Sequence, residues 1–141
     1  MKFYYGEDGR GKLVRDKLDD VIRAEGHKVK VRKLDAEDLS AEILKKIPEE
    51  VAELLEAMSG DSREAEKEEL ADVWALLEAF QKARGFLDAE ISEVKAAKAA
   101  KKGGFDEGTF IEYVDLRPEG EGYDFWLEHF RKNADRYIEE K

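Results

Sequence analysis

The chain contains no cysteine, so disulfides, thiolate zinc sites, iron–sulfur clusters and a cysteine nucleophile are excluded. It has two prolines and two histidines in 141 residues. Few helix breakers in an Ala/Glu/Lys/Leu-rich chain favour a mainly helical fold. No apolar run approaches the ~20 residues of a membrane-spanning helix. The opening residues, MKFYYGEDGRG, lack the apolar stretch of a signal peptide. A soluble, cytoplasmic protein with no membrane partner is the expectation. Bases are in deficit: 25 against 35 acids, for a net charge of -10. That field repels phosphate, which argues against non-specific binding of nucleic acid.

Charge is abundant in total. Charged residues make up 43% of the chain and hydrophobic residues 42%. This mixture suits amphipathic helices with solvated outer faces. The length fits one domain, 1–141, with no repeat and no long linker. Residues 1–11 read as a short strand or arm ending in a glycine-rich turn. Helical spacing of Leu13, Val14, Leu18, Val21 and Ile22 predicts a first helix to about Glu25, stopped by Gly26. His27–Leu34 reads as a short strand or an extended connection.

Asp35 or Asp38 can cap the second helix, which bears the stripe Leu39, Ile43, Leu44, Ile47, Val51, Leu54, Leu55 and Met58. Pro48 either starts a new helix or kinks a long one. A third helix is expected from Ser62 to Arg84, closed by Gly85. A fourth is expected from Asp88 to Lys102, closed by Gly103-Gly104. Thr109–Val114 is extended or a short strand. A final aromatic helix is expected over about Tyr123 to Glu140.

The informative residues are acids. Glu49-Glu50-Val51-Ala52-Glu53 lies in the second helix and, after fifteen intervening residues, Glu69-Leu70-Ala71-Asp72 lies in the third. Positions i and i+3 share a helix face, so Glu50 projects with Glu53 and Glu69 with Asp72. The gap leaves room for a turn that brings the two pairs together antiparallel. On the helical wheel Glu69 falls within the apolar sector of its helix and Asp72 on its edge. Glu50 edges the stripe of the second helix, Glu53 lies further out, and Glu49 points away. Acids on an apolar face are costly unless their charge is compensated. Four carboxylates without His or Cys make a hard oxygen site, suited to Mg2+ or Mn2+. His27 and His129 do not stand at Glu-x-x-His spacing with these acids, which removes the usual di-iron bundle pattern.

Bases cluster twice. Lys12, Arg15 and Lys17 open the first helix, and Lys95, Lys98 and Lys102 share a face of the fourth. Neither Lys95 nor Lys98 has an acid three or four residues away, so intrahelical pairing does not account for them. Such clusters beside an acidic metal site point to a polyphosphate, and Arg15 can grip it with two bonds. Two facing helices cannot cover both apolar stripes and an aromatic C-terminal helix in a thin monomer. A homodimer burying more than about 1,000 Å² is therefore expected.

Glu49-Glu50-x-x-Glu53 followed by Glu69-x-x-Asp72 resembles the EExxE…ExxD signature of the MazG-like all-α NTP pyrophosphohydrolases. Lys12-Leu13-Val14-Arg15-Asp16-Lys17 and the stretch from Lys98 to Gly103-Gly104-Phe105 look like the phosphoribosyl-ATP pyrophosphohydrolase-like subgroup. The resemblance covers about residues 10–112, and the C-terminal extension from about 115 lies outside it. It implies an antiparallel helical bundle forming a homodimer or dimer of dimers, with the active site near the subunit interface. It implies Mg-dependent hydrolysis of a nucleoside triphosphate or related nucleotide to the monophosphate and pyrophosphate. Carried over, Glu50, Glu53, Glu69 and Asp72 are the metal ligands. Glu49 or Glu53 takes the proton of the attacking water, and Arg15, Lys95 and Lys98 bind phosphate. Nucleotide-pool house-cleaning is the leading expectation. Phosphoribosyl-ATP hydrolysis in histidine biosynthesis and a non-catalytic helical interaction module are the alternatives.

Overall fold

The computed structural model describes residues 1–139. The protein is mainly helical, with five helices and no strand among the described residues: α1 Leu18–Ala24, α2 Ala36–Ser59, α3 Arg63–Ala83, α4 Asp88–Lys102 and α5 Tyr123–Lys132. Two compact units emerge from the chain's own packing, Met1–Ala100 and the residues from Lys101 onward.

Local chemistry sets the helix ends. The Asp35 carboxylate accepts from the Asp38 N–H at 2.8 Å, so Asp35, not Asp38, is the N-cap of α2. Ser62 caps α3 by accepting from the Ala65 N–H at 3.1 Å. Gly85, at φ +72°, takes the left-handed turn after α3 that a side chain would strain. The Leu87 N–H donates to Glu90 at 2.7 Å, which satisfies a free donor at the start of α4.

Helix α2 runs unbroken through Pro48. The ring leaves the Leu44 carbonyl without its helical donor, a loss carried by the packing on either side. The three residues Gly60-Asp61-Ser62 join α2 to α3, and the two helices pack together as an antiparallel hairpin. Ile43 is fully buried there, beside the buried Ser40 and Glu50. Within the first unit, α2 and α3 are the one pair of helices in contact among the described residues.

Several expectations are corrected. The first helix starts at Leu18, not Leu13, and Lys12–Lys17 precedes it as irregular chain with a turn at Asp16-Lys17, closed by the Leu18 N–H on the Arg15 carbonyl. Three bases at a helix N-terminus oppose its dipole, whereas Asp19 and Asp20 in the first turn favour it. For the segments 1–11, 27–34 and 109–114, left open between strand and non-strand chain, the structure gives no strand among the described residues. Alternation alone cannot make a ladder without a neighbouring strand to bond. Helix α5 ends at Lys132, and turns follow to Arg136. The expected end at Glu140 lies outside the described residues. In this second unit Trp126, His129, Phe130 and Tyr137 form a ring cluster, with Phe130 and Tyr137 centroids 4.8 Å apart.

Candidate metal centre

The hairpin brings the acids of α2 and α3 face to face. One carboxylate oxygen each from Glu50, Glu69 and Asp72 lies within 4.8 Å of the other two. Glu50 is only 7% exposed, whereas Glu69 and Asp72 are half-buried. Glu69 Oε2 is buried with no hydrogen-bond partner. A buried carboxylate oxygen left unbonded is costly, and a bound cation is one partner that would satisfy it. The donor set is entirely hard oxygen, so these residues fit Mg2+ or Mn2+ and not a softer ion.

Glu53 stands on the exposed side of the same cluster. The Glu50 charge holds its carboxyl above the usual carboxylate range, and burial and Glu69 add to the effect. Glu49 behaves in the opposite way. It accepts from Lys12 Nζ at 2.6 Å, and that bond keeps its carboxyl below the usual range while raising the Lys12 ammonium. The two candidates for proton uptake are therefore separated by their surroundings.

Two bases reach the centre from the irregular segment before α1. Lys12 meets Glu49, and the Arg15 guanidinium donates to Asp72 Oδ1. Both side chains are accessible to solvent. A third base, Lys46, lies within α2 itself and forms an ion pair with Glu50, Nζ to Oε1 2.8 Å. Sequence reasoning passed over Lys46. Its signal was the i, i+4 spacing to Glu50, which is common on helices and carried weight only once Glu50 proved buried.

The wheel ranked Glu69 as the most enclosed acid, but Glu50 is. A wheel gives angles about one axis, whereas burial depends on how the second helix covers the first. Lys95 and Lys98 are exposed on α4, which does not pack on α2 or α3. The chain by itself does not bring these two lysines to the acids. Trp74 is 59% exposed and leaves a large ring free on α3. No helix among the described residues is long and apolar enough to cross a membrane.

Comparison of the chain with protein-family models, curated proteins and solved structures finds no match.

Proposed function

We propose that the protein is a divalent-metal-dependent nucleotide pyrophosphohydrolase, which cleaves a nucleoside triphosphate to the monophosphate and pyrophosphate. The convergence of Glu50, Glu69 and Asp72 from two antiparallel helices is the observation that carries this reading. Glu50, Glu69 and Asp72 would hold the metal, with Glu53 beside them. A bound divalent ion supplies charge neutralisation for the triphosphate and makes water a better nucleophile.

The remaining roles follow from the charge and exposure of each side chain. Water oxygen bonds to the α-phosphorus while the bond to the α–β bridging oxygen breaks, and pyrophosphate departs with the bonding electrons. The water's proton passes to a carboxylate. The raised Glu53 carboxyl favours it over Glu49, whose affinity for a proton is lowered by Lys12. Arg15 and Lys12 flank the acids on the exposed side, where cations stabilise the charge gained by the leaving pyrophosphate.

The same reading extends to assembly as a homodimer. Leu44, Val51, Leu55 and Met58 are exposed at i, i+7, i+11 and i+14 on α2, and Leu70, Trp74 and Leu77 at i, i+4 and i+7 on α3. Each is an apolar face turned away from the hairpin's own contact, and a second hairpin is the simplest cover for both.

Pyrophosphate release measured over a panel of canonical, non-standard and phosphoribosyl-linked nucleotides tests the proposal. Magnesium-dependent release with a house-cleaning preference is expected. Turnover confined to phosphoribosyl-ATP assigns the protein to histidine biosynthesis. No turnover of any nucleotide leaves the hairpin an interaction module and overturns the reading.

A further inference from the structure

We propose that Lys46 is a positioning residue of the acidic centre, which holds Glu50 by one oxygen and limits how tightly the centre grips a divalent cation. The proposal rests on the reading of that centre as a metal site.

Glu50 is the one buried acid of the cluster. A buried carboxylate persists in its charged form only beside a fixed partner. Lys46 supplies that partner from one turn earlier on the same helix, and the pair has side chains only 19% and 9% exposed. The other two cations differ in kind. Lys12 and Arg15 are 38% and 70% exposed and belong to the irregular segment before α1, so each is free to exchange its carboxylate for a phosphate. Lys46 is largely covered and starts from the same helix as its partner, so its charge stays with Glu50.

Charge balance gives this pair a consequence. Five carboxylates, Glu49, Glu50, Glu53, Glu69 and Asp72, face three paired cations, Lys12, Arg15 and Lys46. Two formal negative charges remain, and they fall to Glu53 and Glu69, the two acids without a cationic partner. That excess matches one divalent ion. Without the Lys46 charge the dication is the partner left to keep Glu50 ionised, both Glu50 oxygens are open to it, and the excess it meets rises to three. A dication is then held more tightly, because opposite charges at short range in a partly desolvated site interact strongly. A turnover site gains nothing from that grip, since ground-state binding does not lower the barrier.

The test is direct titration of the full-length protein with Mn2+ by calorimetry and electron paramagnetic resonance, with circular dichroism to confirm helix content. Lys46→Met and Lys46→Gln should each bind Mn2+ at least about tenfold more tightly than the wild type. Lys46→Arg restores charge and donor and should stay within about twofold of wild type. Gln keeps a donor without the charge, so it carries the test where Met does not fold. Unchanged or weaker affinity in a folded Met or Gln variant overturns the proposal, as does an Arg variant that behaves like Met. Wild-type protein that takes up no Mn2+ at millimolar concentration overturns the metal reading itself, and this proposal with it. Wild-type uptake with no change on substitution removes only the role of Lys46.

Discussion

Arg15 donates to Asp72 across 57 residues of sequence, and that bond ties the segment ahead of the first helix to the third. It places a guanidinium against one of the three acids that converge between α2 and α3. On the proposed reading, a triphosphate held at these acids would come within reach of Arg15. Its planar fork can serve a carboxylate and a phosphate at once. Replacing Arg15 by Ala should lower kcat/KM by roughly 10- to 100-fold, chiefly through KM, while helix content is retained. Steady-state pyrophosphate release checks this. An unaltered KM would confine Arg15 to bracing Asp72.

Glu69 contributes a buried oxygen without a partner. Glu69→Gln should reduce magnesium-dependent turnover by at least ~100-fold, since even the outer partners of metal ligands cost ~10- to 100-fold. In chelator the same variant should melt at a temperature no lower than the wild type's, because one of several crowded like charges is gone. Wild-type activity that persists in excess chelator would sink the metal hypothesis.

Leu55 is 60% exposed on the second face of α2. Light scattering of the wild type should report twice the 16.2 kDa chain mass or a multiple of that dimer. Leu55→Arg buries a charge in any partner that covers this face, so it should halve the mass or precipitate the chain. A wild type that stays monomeric at micromolar concentration contradicts the dimer.

Glu53 gives the pH dependence a definite sign. Its folded-state carboxyl titrates above the ordinary range, chiefly because of Glu50. The folded state therefore binds this proton more readily than the unfolded chain, and the ionised form opposes folding. Glu53→Gln should raise the melting temperature in chelator at neutral pH. The gain should fade as pH drops through the raised pKa towards the ordinary carboxylate value, where the wild type is also neutral. Thermal melts across that window read it directly. A gain that grows on acidification would contradict the charge-crowding account.

Local determinants were legible in the sequence because their causes are local. Asp35 and Ser62 accept from N–H groups three residues away, and Gly85 turns the chain where only glycine is unstrained. The spacing of Glu50, Glu53, Glu69 and Asp72 placed the acids on matching faces, because helical periodicity and a short connection suffice for that. The tertiary structure decided what depends on neighbours far along the chain. It carried α2 through Pro48, where contact with α3 outweighs a missing hydrogen bond. It buried Glu50 more deeply than Glu69, which made Lys46 its counter-ion, and it set Arg15 on Asp72. It also left Lys95 and Lys98 on a helix apart from the acids. Pattern fixes the direction in which a side chain leaves its own helix, but only packing determines what stands there to meet it.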